Sequence, residues 1–264
     1  MERTHSWDPP APLQEPAPVL AAFDAGVAAI CELVSRFDGG GWSAQTPCPE
    51  WRAFELAGHL RCIADDLHEY LDEAPMSRYA RLMATGAHPQ TLQRKLARQN
   101  AAELAALADA PPAEHIAAFA ESARGYAARL PAVWDLPHHQ YRDVVVTVGG
   151  MAGAATAEWH LHGWDLARAL GTEYRPADPA SVLAGWQAGM PHLRLRAPSL
   201  GARIVRHTDP WEALLAASGR TSVGGWRPGT ARSAWTAWPA RLRRAKAPAG
   251  RRPEPADRSS YPQA

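Results

Sequence analysis

The stretch Ala154-Ala155-Thr156-Ala157-Glu158-Trp159-His160-Leu161-His162-Gly163-Trp164-Asp165-Leu166-Ala167-Arg168-Ala169-Leu170-Gly171 constrains the fold of this chain more than any other. Apolar positions recur at Trp159, Gly163, Leu166 and Leu170, three or four apart, which is the buried stripe of a helix. Gly171 stands where a left-handed C-terminal cap is expected. Beside that stripe runs a second one: Ala155, Glu158, His162, Asp165 and Ala169. At about 100° per residue, Glu158 and His162 differ by only about 40° and lie one turn apart. A carboxylate and an imidazole in that relation can grip one metal ion. They can equally form a simple hydrogen-bonded pair, adding roughly a few tenths of a kcal/mol to the helix. His160 points roughly the other way and belongs to neither pairing.

A metal needs a third ligand, and a second helix offers one. Pro49 fits the first turn of a helix over about residues 50–71, with Cys48 as a poor N-cap and Glu50 complementing the dipole. Leu56, Leu60, Ile63, Leu67 and Tyr70 form its buried stripe, and His59 falls inside that stripe. A lone inward histidine is more often a hydrogen-bonded core residue than a ligand. Two histidines and a carboxylate on two long helices, however, make a three-ligand set that leaves coordination positions open. Asp165, one turn beyond His162 on the same face, is a candidate acceptor that orients an imidazole. The alternative for Asp165 is a surface ion pair with Arg168.

Two further helices complete a bundle. Leu20, Phe23, Val27, Ile30, Val34 and Phe37 repeat every three or four residues and stop at Gly39-Gly40-Gly41. Ile116, Phe119, Ala123, Tyr126 and Leu130 do the same before Pro131. Residues 75–90 read as a loop or lid, and Leu92, Leu96, Leu104 and Leu107 mark a mostly polar, peripheral helix. His138-His139 follow Pro137 and are expected to be solvated loop residues. Residues 141–148 are β-branched and weakly alternating, hence a short extended segment. Residues 179–192 and 210–218 each suit a short helix. The expected organisation is an N-terminal arm over 1–18, a metal-binding helical bundle over 19–171, a short extension over 172–238, and a disordered basic tail over 239–264. The fold class is all-α: a four-helix bundle with a site in its core.

Composition excludes several classes. The net charge of +1 gives no electrostatic footprint for nucleic acid. Cys31, Cys48 and Cys62 are odd in number and lack CxxC spacing, against a disulfide framework or a cysteine-based zinc site. Cys48 and Cys62 read as small core or turn residues. The proline-rich start lacks the apolar core of a signal peptide. No run is read as long enough to cross a membrane. A soluble, cytoplasmic protein without membrane or nucleic-acid partners is expected.

Three segments together carry a resemblance. Trp42 with Thr46-Pro47-Cys48-Pro49-Glu50-Trp51, then Gly58-His59-Leu60, and then Glu158-x-x-x-His162-Gly-Trp-Asp165-Leu-Ala-Arg-Ala-Leu-Gly resemble the mycothiol-dependent maleylpyruvate isomerase family, one of the DinB-like metal-binding four-helix bundles. The similarity spans about residues 19–171, with a weaker echo at Asp209-Pro-Trp-Glu-Ala-Leu-Leu-Ala-Ala-Ser-Gly-Arg220. The resemblance implies that His59, Glu158 and His162 are the metal ligands. It implies Zn²⁺ first, with Ni²⁺ or Fe²⁺ as alternatives, and mycothiol as thiol co-substrate. The activity it implies is S-transfer to, or isomerisation of, a small electrophile through a metal-bound thiolate. The isomerase itself carries a full C-terminal domain, and residues 172–238 are shorter than that. A non-catalytic metal-binding bundle, acting as a sensor or interaction protein, is the competing class.

Overall fold

The computed structural model describes residues 15–48, 51–74, 76–107, 109–191 and 208–220. Among them, α1 (Pro16–Val34), α2 (Ala53–Asp72), α3 (Arg78–Ala84), α4 (Pro89–Ala106) and α5 (Pro112–Arg129) precede a hairpin of β1 (Pro137–Tyr141) and β2 (Val144–Thr147). The helices α6 (Val148–Ala169), α7 (Pro179–Gly189) and α8 (Pro210–Ala217) follow.

Four amphipathic helices must bury their apolar stripes on one another. Here α1 packs on α5 and α6, and α2 packs on the same two, closing a four-helix bundle. Trp159 of α6 fills its centre, meeting Phe23 of α1 and Phe119 of α5 edge-on at 5.8 and 4.9 Å between ring centroids. All three are inaccessible to solvent. Such edge-to-face contacts are favoured because the positive ring edge meets the negative face.

Helix α6 is buried along almost its entire length. Its start is capped by Thr147, whose Oγ1 accepts a hydrogen bond from the Gly150 N–H at 3.1 Å. Its end is a Schellman turn: Gly171 adopts φ +67°, its N–H donates to the Arg168 carbonyl, and the Thr172 N–H donates to that of Ala167. The small residues of its first half let α7 approach backbone to backbone. A Cβ placed on Gly185 would lie 2.6 Å from the Gly153 carbonyl oxygen. Trp186, Trp211, Leu214 and Leu161 then build a second apolar cluster beneath α7 and α8. The described residues after Gly171 are therefore packed against the bundle.

Several expectations need correction. Helix α2 begins at Ala53, because Trp51 and Arg52 are drawn out of the helix. The Thr46 N–H donates to the Trp51 carbonyl, Gln45 bridges Arg52, and the Glu55 carboxylate caps the Arg52 N–H at 2.9 Å. Pro49 and Glu50 lie outside the described residues. The span 75–90 contains α3, started by Ser77, whose Oγ accepts from the Ala80 N–H. Pro16–Pro18 belong to α1, and residues 1–14, 192–207 and 221–264, which hold most of the arm, most of the extension and the tail, lie outside the described residues. His138 and His139 are not solvated: they sit on β1, 1 % and 3 % exposed, because α3 covers that strand. Helix α1 is long and apolar enough to cross a membrane by length and composition, with a mean hydropathy of 1.8. Its stripe of Phe23, Val27 and Ile30 is nevertheless spent on the core.

Candidate metal centre

Helix α2 places His59 beside His162 of α6, and Glu158 stands one turn before His162 on α6; all three side chains are buried. The His59 and His162 rings stand perpendicular, with centroids 5.2 Å apart. His162 Nε2 lies 3.3 Å from Glu158 Oε2. That spacing suits an ion pair, but the two are not aligned as a hydrogen bond. Both ring nitrogens of His59, Nε2 of His162 and Oε1 of Glu158 are buried without a hydrogen-bond partner among the described residues. Buried polar atoms are normally paired, so four orphans on three neighbouring side chains call for a partner from outside them. The Trp51 ring packs on His59, 4.2 Å between centroids, and lies 6.1 Å from the His162 ring.

The second nitrogen of His162 is committed. Its Nδ1 donates to Asp165 Oδ2 at 3.0 Å, and Asp165 is itself wholly buried. Asp165 does not pair with Arg168, which reaches Glu173 at 3.6 Å on the surface. Its cation is Arg220, just beyond α8, which grips both carboxylate oxygens through Nε at 2.9 Å and Nη2 at 2.6 Å. This fork-to-fork pairing is among the stronger charge-assisted arrangements.

The electrostatics follow from burial and these contacts. Burial alone would raise the Asp165 carboxyl, but the Arg220 charge and the hydrogen bonds from His162 and Arg220 hold it down at about 2. Burial pushes His59 well below an ordinary histidine, and the neighbouring His162 pushes it further, so it is neutral. Burial would also lower His162, yet its hydrogen bond to Asp165 and the nearby Cys48 and Glu158 groups outweigh that and raise it well above. Burial and then the Asp165 charge raise the Cys48 thiol.

A second constellation overlaps the first. Cys48, His162 and Asp165 each offer an atom within 4.8 Å of the others, a spacing that could hold a metal ion. Those atoms already bond one another, with Cys48 Sγ 3.4 Å from Asp165 Oδ2, and the Arg220 guanidinium stands where a cation would go. The orphaned atoms lie on the opposite, Nε2 side of His162. Cys48 thus touches the network, although sequence reasoning reads it as a small core or turn residue with no part in the site. Arg220 carries no role in that reading either; its only signal is the weak echo that ends on it. His160 faces away, bonding Tyr174 Oη and the Ala22 carbonyl.

A partly open cleft leads from the surface to His59 and Glu158. Its walls come from α2, α3, α4 and α6, with Leu67, Leu96 and Met151 prominent and Asp66 and Tyr79 as polar members. Helix α4, expected to be peripheral, is one of these walls.

The family described as mycothiol maleylpyruvate isomerase N-terminal domain matches residues 23–167, more than half of the chain. The match contains His59, Glu158, His162 and Asp165, and stops before Arg220. No curated protein and no solved structure matches the chain.

Proposed function

We propose, because this chain belongs to the mycothiol maleylpyruvate isomerase N-terminal domain family and has its DinB-like helical fold, that it holds a divalent metal through His59, Glu158 and His162. In this reading it acts on mycothiol and a small electrophile as an S-transferase or isomerase. The observation that carries the reading is the set of four unpartnered buried atoms. The donor types fit: two imidazoles and one carboxylate are a common Zn²⁺ set, with Ni²⁺ and Fe²⁺ as alternatives, and leave a position open. A bound divalent metal would supply Lewis acidity, enough to deprotonate a coordinating thiol at neutral pH.

The chain's own residues prepare that site. Arg220 fixes Asp165, and Asp165 accepts a hydrogen bond from the His162 Nδ1–H, which orients the ring with its Nε2 on the Glu158 side. Burial keeps His59 unprotonated, the state in which an imidazole can ligate. Trp51 shields the His59 ring from water. The cleft lets a small molecule reach the centre from the α4 side. A cytoplasmic setting, without nucleic-acid or membrane partners, belongs to the same proposal.

The test is metal content after purification of the full chain. His59→Ala and His162→Ala should lose the metal, while His160→Ala should keep it. The reverse pattern refutes the ligand assignment. Metal-loaded protein with mycothiol and a haloaromatic or maleyl electrophile should then turn over, and His59→Ala should not. Retained metal with no thiol-dependent turnover would leave the non-catalytic bundle as the reading.

A further inference from the structure

The cleft beside the candidate centre has walls of one electrostatic kind. Ile63, Leu67, Leu96 and Met151 give it an apolar body. Its two ionisable acids are Asp66 and Glu158, and its remaining polar side chains are His59, held neutral by burial, two tyrosines, Gln99 and Asn100. Among the described residues, no lysine or arginine lines it. The one arginine bonded to this wall, Arg78, has its charge already opposed three times. It lies 2.8 Å from Asp66, 3.1 Å from Glu103 and 3.6 Å from Glu69. Asp66 in turn accepts from Tyr70 Oη at 2.8 Å and Gln99 Nε2 at 3.3 Å. This cluster of three carboxylates and one guanidinium carries a negative net charge and is closed on itself.

An anionic substrate entering this cleft would leave water without meeting a partner cation from the wall, which is strongly unfavourable. The charge at the centre offers no surplus either: a divalent ion is balanced by Glu158 together with one thiolate. Maleylpyruvate, with two carboxylates, is the kind of molecule such a cleft excludes. An uncharged molecule with an apolar body suits the walls, and an ester, ketone or nitro oxygen has uncharged donors to meet. Tyr79 Oη is one, since it makes no hydrogen bond among the described residues.

We infer that the electrophile taken by this cleft is an uncharged, apolar-bodied small molecule such as an unsaturated ester, not a dicarboxylate. The inference rests on the thiol-transfer reading above. With an activated alkene the step balances: a sulfur lone pair forms the C–S bond and the π pair moves to the adjacent carbon. That carbon takes up the proton released by the thiol, and nothing is oxidised.

Two matched pairs separate the claims. Dimethyl succinate and succinate share a skeleton and are unreactive, so their binding to the metal-loaded full chain, measured by calorimetry without thiol, tests the substrate class alone. The ester should bind at least about tenfold more tightly than the dianion. Leu96→Arg puts a cation on the half-exposed α4 wall and, in a variant whose unfolding midpoint confirms the fold, should shrink that ratio about tenfold or more. Succinate binding as well as the ester, neither binding, or a ratio unmoved by Leu96→Arg would overturn the inference. Dimethyl maleate and maleate, offered with mycothiol, then test chemistry. Thiol-dependent turnover of the ester, and not of maleate, is expected, and turnover of maleate alone would also overturn the inference. If the unreactive ester binds as stated but no thiol is ever transferred, the thiol-transfer reading falls and the cleft's preference for uncharged ligands stands.

Discussion

Asp165 is fully buried and ionised, a state a carboxylate keeps only with a cation and donors in contact. Arg220 provides both, and His162 adds a third bond. Removing one partner of a buried pair leaves the other uncompensated, whereas removing both relieves most of the penalty. Arg220→Met should therefore lower stability by ~3–5 kcal/mol in urea unfolding. Adding Asp165→Asn to that variant should recover part of the loss. Equal destabilisation by the single and double variants would mean that Arg220 acts through packing alone. On the metal reading, Asp165→Ala should also weaken metal binding about 10–100-fold, because the His162 ring loses the acceptor that fixes its tautomer.

At the scale of elements, the α6–α7 contact decides how the C-terminal part of the chain joins the bundle. Gly153 and Gly185 face each other so closely that either added Cβ would sit less than 3 Å from backbone atoms of the other helix. Two effects oppose each other at Gly185. Alanine is favoured over glycine in a helix interior by about 1 kcal/mol, but overpacking against rigid backbone costs about 1–3 kcal/mol. The second should win, because no side chain is there to swing aside. Gly185→Ala should lower the unfolding midpoint. An unchanged or raised midpoint would show that α7 is free to move outward.

For the whole molecule, two buried groups set the response to pH in opposite senses. Burial raises Asp66 to about 6, against the lowering effects of Tyr70 and Arg78, with Glu103 and Glu69 adding to the rise. The folded state thus binds a proton more tightly than the unfolded chain. The penalty for ionised Asp66 is full above about pH 6 and fades as pH falls toward its ordinary value near 4. Burial lowers His138 to about 4. Its neutral ring contributes stability above about pH 6.5 that is lost as pH falls through that window. Asp66→Asn should therefore stabilise the protein at pH 7, by up to ~2–3 kcal/mol. The gain should vanish near pH 4, leaving a steeper acid loss than in the wild type. Denaturant titrations at pH 7, 5.5 and 4 check this; a gain that does not shrink on acidification contradicts it.

What the sequence determined by itself is whatever lies within one helix. The three-and-four spacing of Phe23, Val27 and Ile30, or of Phe119 and Tyr126, already names the buried faces, because a helix's period is fixed by its backbone. Gly171 as the end of α6 is equally local, since the left-handed turn there suits glycine. The Glu158–His162 relation and the inward direction of His59 follow from the same geometry. Periodicity says which face is buried and not what covers it, so contacts between distant segments were left to tertiary structure. Arg220 reaches Asp165 across 55 residues of sequence. His138 and His139 are buried because α3, too short to show a helical period in the sequence, folds over β1. The start of α2 moved to Ala53 because the bonds between residues 45–46 and 51–52 outcompeted a further helical turn. The cleft is the clearest case, for its walls come from four helices and its charge from side chains that no single stretch of sequence brings together.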